Sequence, residues 1–357
     1  MEKEIFERSK NNPILVLPGD NDEVKKIYNP GVWLEDGIYH FFPRVKYEEG
    51  EKWKTEIHYY RSSDGEKFHF VRGPILHPPS ILESRGLEDP RISKVGDTYF
   101  MTYTGYDGNT ARYSLATSHN LKDWKKNGPI FPQWDLGQAG GHFIKWKEGQ
   151  AVKVNPETDH RFQGWLKAGG IFPERINGNL FMIFGQFTFW VGYSNDGKKW
   201  SHDAKPFIRP RPDMQDSKVI EMGPPPLRTE KGWLVLYNGV DHTITYRLFF
   251  LLLDLENPRR IIYRSGSIFE PRDSFELSGF VDILPGGFAN MEKMNRAERE
   301  AFVKKAEDDK IMPRVAFCNG AVIENGDTLR VYYGAGDTVI CTATANLNDL
   351  LMLSEGK

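Results

Sequence analysis

The chain has 357 residues, with 47 lysines and arginines against 49 acidic residues and a net charge of −2. This balance argues against nucleic acid or an anionic membrane as the main partner. Residues 1–10 lack the apolar core of a signal peptide, and no run of about 18 apolar residues occurs, so we expect a soluble, cytoplasmic protein. The two cysteines, Cys318 and Cys341, are too few for a disulfide framework and are expected to be free, buried thiols.

A hairpin pattern recurs five times along the chain: an apolar strand, a tight turn centred on glycine, and a second strand rich in apolar and aromatic residues. Asp-Gly, Asn-Gly and Gly-Asp pairs supply the positive φ that such turns need. The turn glycines are Gly37, Gly96, Gly178, Gly232 and Gly326. Repeated hairpins over one long chain are typical of radial repetition. The sequence therefore predicts an all-β fold, with residues 1–357 forming a single five-bladed β-propeller.

Residues 291–310 interrupt the β pattern. Their sequence, MEKMNRAEREAFVKKAEDDK, is rich in helix formers and places apolar residues at near-helical spacing. We expect a helical insertion between the last two blades that ends before Pro313. Three roles stay open for it: a solvated surface helix, a lid over the mouth of an active site, or a contact in a homo-oligomer.

Two carboxylates stand in unusual surroundings. Asp89 lies in GLEDPR, just before the second hairpin, where Pro90 restrains it toward extended geometry and Arg91 is near. Glu221 stands between apolar neighbours and precedes a run of three prolines that fixes the chain. Two carboxylates from different blades, aimed at one axis, would suit acid and base work on a glycosidic bond. For Asp89, a turn with a local ion pair is the alternative.

Several stretches, in chain order, resemble glycoside hydrolase family 130, the mannoside phosphorylases and mannosidases. They include GLEDPRI, YTGYDG, ARYSLATSHNLKDW, GGIFPERINGN, GPPPLRTEKGWLVLYNGV, YRLFFLLLDLENPRR and VYYGAGDTVICTATA. The resemblance runs from about Asn29 to Ala345. It implies a five-bladed propeller with a central pocket for a mannose-containing oligosaccharide. The nine histidines show no metal-ligand spacing, so neither a metal nor an organic cofactor is expected.

The resemblance assigns roles to residues at matching positions. Asp89 matches the general acid, which in this family passes its proton through a hydroxyl of the mannose. The positions expected at the substrate are Asn29, Arg44, Tyr106, Asp107 and Asp337. Each of these five could instead serve turn and ladder hydrogen bonds.

The chain departs from the phosphorylases at the positions that hold phosphate. Where phosphorylases carry two arginines, a lysine and a histidine, this chain has Lys167, Gly185, Val219 and Asn238. Three of the four groups have lost their charge, and lysine lacks the forked donor geometry of arginine. The phosphate site is therefore predicted to be lost.

Glu221 stands where the resembling phosphorylases have a small residue. Water needs a general base to attack a sugar, whereas phosphate does not. We therefore predict an exo-acting, inverting β-mannosidase that hydrolyses β-1,2-linked mannosides, with Asp89 as general acid and Glu221 as general base. Lys167 and Asn238 would line the former phosphate pocket.

Three alternatives to this prediction remain. The first is a β-1,2-mannoside phosphorylase that releases mannose 1-phosphate and uses Lys167, Lys218 or Arg211 in a rearranged phosphate site. The second is a glycan-binding propeller without activity. The third is a five-bladed glycosidase that acts on furanosides.

Overall fold

The computed structural model describes residues 5–17, 24–49, 52–77, 80–134, 143–147, 150–154, 165–241, 245–277 and 314–355. Within these ranges the regular structure is almost entirely β, which confirms the predicted all-β class. The helix predicted over residues 291–310 lies outside the described residues. None of the helices in the described ranges is long and apolar enough to span a bilayer.

The described strands are numbered in chain order. The first twelve are β1 (Glu7–Arg8), β2 (Val24–Glu35), β3 (Ile38–Glu49), β4 (Lys52–Ile57), β5 (Tyr59–Ser62), β6 (His69–Arg72), β7 (Gly86–Val95), β8 (Thr98–Tyr106), β9 (Ala111–Ser118), β10 (Lys125–Pro129), β11 (Phe143–Lys147) and β12 (Gln150–Val154).

The next twelve strands are β13 (Gly169–Ile171), β14 (Leu180–Phe184), β15 (Trp190–Ser194), β16 (Ser201–His202), β17 (Val219–Met222), β18 (Leu227–Thr229), β19 (Gly232–Val240), β20 (Thr245–Leu253), β21 (Ile261–Arg264), β22 (Arg314–Glu324), β23 (Thr328–Ala335) and β24 (Val339–Asn346). The described ranges also contain three short helices: a 3-10 helix (Ile81–Glu83), α1 (Ser274–Leu277) and α2 (Leu347–Met352).

Strand pairing groups most of these described strands into five antiparallel units. In chain order the units are β2-β3-β5-β6, β7-β8-β9-β10, β13-β14-β15-β16, β17/β18-β19-β20-β21 and β22-β23-β24-β1. In the fourth unit β17 and β18 both pair with β19, because the proline run interrupts the strand between them. In the fifth unit Glu7 of β1 pairs with Thr344 of β24, so the N-terminal strand completes the C-terminal unit.

All five predicted hairpins are present. The pairs β2–β3, β7–β8, β13–β14, β18–β19 and β22–β23 are antiparallel. Every predicted turn glycine has a positive φ, from 59° at Gly96 to 147° at Gly232. Residues with a Cβ atom rarely adopt a positive φ, so glycine is favoured at these positions. Cys318 and Cys341 are free and buried, as predicted.

The first strands of several units approach one another backbone to backbone through glycine. A Cβ added to Gly31 in β2 would lie 2.6 Å from the carbonyl oxygen of Pro90 in β7. A Cβ added to Gly320 in β22 would lie 2.7 Å from the carbonyl oxygen of Pro30. The side chain of Asn319 in β22 connects the three strands, because its Nδ2 donates to the carbonyls of Asn29 in β2 (3.1 Å) and Pro90 in β7 (2.8 Å).

These same strands carry matching irregularities. The register shifts between Tyr28 and Gly31 in β2 and between Glu88 and Arg91 in β7. A bulge of this kind turns a side chain away from the regular alternation of the strand. The bulges therefore set the directions of the polar residues that they contain.

Asp89 lies in the β7 bulge with a φ of 49°, so the prediction that Pro90 keeps it extended is wrong. A side chain in this region costs about 1 to 2 kcal/mol. The surrounding contacts outweigh that preference, since Arg91 Nη1 donates to the Asp89 carbonyl (2.8 Å) and Asn319 holds the next carbonyl.

Replacing Gly31 with alanine tests the packing between β2 and β7. We expect Gly31→Ala to lower the free energy of unfolding by about 1 to 3 kcal/mol, because the new methyl group collides with backbone. Gly266→Ala is the matched control, since an added Cβ there meets nothing within 4 Å. It should stay within about 0.5 kcal/mol of the native chain in urea unfolding. Equal effects of the two changes would contradict the packing described.

Candidate active site

A cavity of about 400 Å³ lies beside the bulges of β2 and β7. This volume falls within the range of small-molecule sites. Its lining is rich in charge of both signs, with four carboxylates and four cations among the described residues. The carboxylates are Glu88, Asp89, Glu221 and Asp337, and the cations are Lys26, Arg44, Lys46 and Lys167.

Asp89 is 4% exposed, and its carboxylate is held from two sides. Asn29 Nδ2 donates to Oδ1 at 3.0 Å, and Arg44 Nη1 donates to the same oxygen at 3.2 Å. Burial opposes ionisation, but the charges of Arg44, Lys167 and Arg91 and the bond from Asn29 outweigh it and lower the pKa of Asp89. Asp89 is therefore ionised at neutral pH.

Glu88, the neighbour of Asp89, binds the same cations. Arg44 Nη2 donates to Glu88 Oε1 at 2.7 Å, and Lys167 Nζ donates to Oε2 at 2.9 Å. Arg44 and Lys167 are therefore already paired with carboxylates inside the cavity. Nothing in the sequence marked Glu88 except its place beside Asp89.

Glu221 lies in β17 and is 4% exposed. Its Oε2 accepts from Gln186 Nε2 at 2.8 Å, and Gln186 Oε1 accepts from Trp165 Nε1 at 3.1 Å. Burial raises the pKa of the Glu221 carboxyl; Lys167 opposes this, and the charge of Asp89 adds to it. Gln186 and Trp165 both line the cavity, and no sequence motif had singled them out.

Arg91 connects the two segments that carry Asp89 and Glu221. Its guanidinium is buried and donates to the carbonyls of Gly223 (Nε, 2.6 Å), Met222 (Nη2, 2.5 Å) and Asp89 (Nη1, 2.8 Å). One side chain thus ties the bulge of β7 to the end of β17. The spacing of the two carboxylates depends on this link.

An aromatic wall closes another part of the cavity. The rings of Trp53 and Tyr106 are stacked at 5.8 Å and 9°, and Trp165 meets Tyr106 edge-on at 6.2 Å and 75°. Tyr106 lines the cavity as predicted, whereas Trp53 had not been singled out. Aromatic faces of this kind suit the apolar faces of a sugar ring.

Asp337 lines the cavity, as predicted. Burial raises the pKa of its carboxyl to about 7; Arg44 opposes this shift and the charge of Asp89 adds to it. Asp337 therefore changes its charge near neutral pH, unlike an exposed aspartate.

Asp107 is not among the described residues that line the cavity, contrary to its predicted place at the substrate. Its Oδ1 accepts from the backbone N–H groups of Asn109 (2.8 Å) and Thr110 (2.7 Å), and its Oδ2 accepts from Arg112 (2.6 Å). These bonds use the carboxylate to shape a turn. This is the turn role that the sequence had left open.

Asn238 does not line the cavity either, although it pairs with Glu221 across β17 and β19. The Asn238 amide is fully buried and bridges to β22: Nδ2 donates to the carbonyl of Cys318 (3.0 Å), and Oδ1 accepts from its N–H (2.9 Å). The predicted role in a former phosphate pocket therefore does not fit, because both ends of the amide are used between strands.

Two buried carboxylates from different units thus share one cavity, and their pKa values are displaced in opposite directions. Such a pair can exchange protons with a ligand bound between them. Within the described residues, no group of three or more His, Cys, Asp or Glu is placed to hold a metal ion.

Asp337 makes a prediction about stability. Its pKa lies above the ordinary value of 3.8, so stability is lost as the pH rises through about 7. Between pH 5 and pH 8, the native chain should lose about 2 kcal/mol relative to Asp337→Asn in urea unfolding. Asp107→Asn is the control, because burial there is outweighed by hydrogen bonds that lower its pKa, and no such loss is expected. Parallel curves for the native chain and Asp337→Asn would contradict the assignment.

Comparison with known proteins places the chain among mannoside-processing enzymes. The family model Glyco_hydro_130, described as beta-1,4-mannooligosaccharide phosphorylase, matches residues 3–291. The chain is 29% identical to a 1,2-beta-oligomannan phosphorylase of Thermoanaerobacter sp. (strain X514), over 97% of this chain and 98% of that protein. It is 30% identical to a beta-1,2-mannobiose phosphorylase of the same strain, over 94% and 95%.

A solved structure of the same family is also similar to this chain. It has a TM-score of 0.73 and 26% identity, over 96% of this chain and 94% of that one. It is described with the statement that the GH130 family of mannoside phosphorylases contains glycoside hydrolases that target β-1,2 mannosidic linkages in Candida mannan. On the family match and on these relatives, the chain belongs to glycoside hydrolase family 130, as its sequence motifs predicted.

Proposed function

We propose that this chain cleaves β-1,2-linked mannosides in the cavity and that it does so by hydrolysis with inversion. The linkage is supported by the names of both curated relatives, which act on β-1,2-mannosides. Hydrolysis is supported by one observation above all: a buried carboxylate, Glu221, lines the same cavity as Asp89 and is oriented there by Gln186. A second carboxylate is what an attacking water needs.

In this mechanism Asp89 gives a proton to the leaving oxygen, directly or through a hydroxyl of the mannose. Glu221 takes a proton from the water that attacks the anomeric carbon from the opposite face. Asn29 and Arg44 hold the Asp89 carboxylate, and the wall of Trp53 and Tyr106 offers a surface for a sugar ring.

The pKa of Asp89 is lowered and that of Glu221 is raised, which is the opposite of the order that an acid and a base need. Asp89 must therefore take up a proton before it can act as the acid. A sugar that fills the cavity removes water from Asp89 and raises its pKa toward that of a proton donor. The pH profile of kcat/KM should then be bell-shaped. It reports the two apparent pKa values of the pair, whichever of the two groups is the acid.

The charges of the site favour water over phosphate as the attacking group. Arg44 and Lys167 are paired with Glu88 and Asp89, so a phosphate dianion would compete with two carboxylates for them. It would also lie in the same cavity as the carboxylate of Glu221, and like charges in a buried site are costly.

Phosphorolysis is the second candidate, and the names of the relatives favour it over hydrolysis. Both curated relatives are phosphorylases, and together they cover nearly the whole chain. Lys26 and Lys46 line the cavity as well and could contribute to a rearranged phosphate site. The hydrolytic proposal thus rests on the side chains of this chain, and the phosphorolytic one on its relatives.

We further infer that the five antiparallel units are the blades of a single five-bladed β-propeller that forms one catalytic domain. Three features support this arrangement: the repeated pairing, the glycine contacts between first strands, and the completion of the last unit by β1. The cytoplasmic location stays a prediction, and a homo-oligomer stays a possibility that the sequence left open.

Product analysis with β-1,2-mannobiose, in the presence and absence of inorganic phosphate, tests the proposed function. We expect free mannose at a rate that phosphate does not change, because Glu221 activates water. Mannose 1-phosphate that forms only with phosphate would contradict hydrolysis and establish the second candidate. Binding without any turnover would contradict both and indicate a glycan-binding protein.

Substitution of the two carboxylates separates their roles. Asp89→Asn and Glu221→Ala should each lower kcat by about 100-fold or more, because each removes a proton-transfer step. Azide attacks without a general base, so it should restore turnover of Glu221→Ala and yield α-mannosyl azide. It should not restore Asp89→Asn, which lacks the acid. Loss of activity in Glu221→Ala without rescue would argue that Glu221 has a structural role.

A further inference from the structure

A chain of two hydrogen bonds runs along the cavity wall from an indole to Glu221. Trp165 Nε1 donates to Gln186 Oε1 at 3.1 Å, and Gln186 Nε2 donates to Glu221 Oε2 at 2.8 Å. All three residues line the cavity. The contact thus joins the proposed base to two residues that have no role in the mechanism described above.

The indole fixes the direction of the amide. A tryptophan N–H can only donate, so the atom of Gln186 that faces it must be the carbonyl oxygen. The NH₂ group of Gln186 then faces Glu221, where it too can only donate. A carboxylate oxygen accepts such a bond more strongly than an oxygen of the neutral acid does, so the chain favours the ionised form of Glu221.

The backbone holds the two partners in register. Gln186 and Glu221 form an isolated antiparallel bridge, and the N–H of Phe187 donates to the carbonyl of Ile220 at 2.8 Å. Gly185 allows the tight turn that carries Gln186, since an added Cβ there would lie 2.1 Å from the carbonyl oxygen of Thr188. The amide of Gln186 therefore meets Glu221 from a fixed position on the neighbouring segment.

We propose that Gln186, oriented by Trp165, is a positioning residue that holds the Glu221 carboxylate as a charged base and leaves its Oε1 to take the proton from water. This inference rests on the proposed hydrolysis, since it gives Glu221 the role of base. Neither residue is assigned contact with the reacting atoms.

Other charged and titratable groups also act on Glu221, and they provide the background against which Gln186 is tested. They are Lys167, Asp89, Arg91 and Tyr246. None of them is altered in the variants below. A changed titration of Glu221 in those variants therefore reports the hydrogen-bond chain.

Two substitutions break the chain at different points. Gln186→Met keeps the length of the side chain and removes the donor, so we expect the pKa of Glu221 to rise by about 1 pH unit. Trp165→Phe keeps an aromatic ring and removes the N–H, which frees the amide to turn its oxygen toward Glu221. This change should also raise the pKa of Glu221. Trp53→Phe is the matched control, a change of another indole of the same cavity, and should leave the titration unchanged.

The titration is read from ¹³C-carboxyl resonances of ¹³C-glutamate-labelled protein, with Glu221→Gln identifying the signal. This readout needs no turnover. Upward shifts in Gln186→Met and Trp165→Phe but not in Trp53→Phe support the proposal, together with a lower kcat at unchanged KM. An unshifted Glu221 signal in both variants overturns it, and so does a shifted signal with an unchanged kcat.

The failure of this inference and the failure of the proposed function can be told apart. If Glu221 shifts as expected but the product is mannose 1-phosphate, the hydrogen-bond chain stands and hydrolysis is wrong. If the product is free mannose and Glu221 does not shift, hydrolysis stands and the role of Gln186 and Trp165 is wrong.

Discussion

The buried guanidinium of Arg91 is the contact on which the rest of the site depends. It donates to the carbonyls of Asp89, Met222 and Gly223 and so joins the second antiparallel unit to the fourth. Burial lowers the pKa of Arg91, and the negative charges of Asp89 and Glu221 oppose that shift. A buried cation is stable only where such partners surround it. The same group therefore fixes the backbone of both carboxylate segments and offsets the cost of their charges.

The distribution of charge in the cavity follows from this arrangement. Among the described residues, four carboxylates and four cations line it, and their contacts pair Arg44 and Lys167 with Glu88 and Asp89. A phosphate dianion would compete with Glu88 and Asp89 for these two cations, whereas a neutral sugar would not. In the described contacts, Glu221 accepts a hydrogen bond from the neutral amide of Gln186 and forms no salt bridge. In the proposed mechanism its carboxylate is therefore free to take a proton from water. The site thus combines the fold of a mannoside-processing family with cations that are already paired with carboxylates.

Much of the fold and part of the site could be predicted, because the signals were local. Turn glycines indicate hairpins because these turns need a positive φ, and the motif around Asp89 marks a segment of which Glu88 and Asp89 line the cavity. What could not be predicted depends on pairing between distant segments. Asn238 was predicted to line the pocket, but its amide contacts Cys318 on another strand. Gln186 has a role only through its hydrogen bonds with Trp165 and Glu221. The left-handed backbone of Asp89 likewise follows from contacts with Arg91 and Asn319, against the local preference before proline.

The central claim is that Asp89 and Glu221 act on opposite faces of one sugar, with water as the attacking group. Proton NMR of the first turnovers on the methyl glycoside of β-1,2-mannobiose, run with phosphate present, tests it most directly, because the second sugar then leaves as methyl mannoside and all free mannose comes from the cleaved unit. The account predicts that α-mannose appears first and then equilibrates slowly with its β-anomer, because inversion of a β-linkage by water gives the α-product. Early release of β-mannose would contradict opposite-face attack, and α-mannose 1-phosphate in place of free mannose would contradict water as the attacking group.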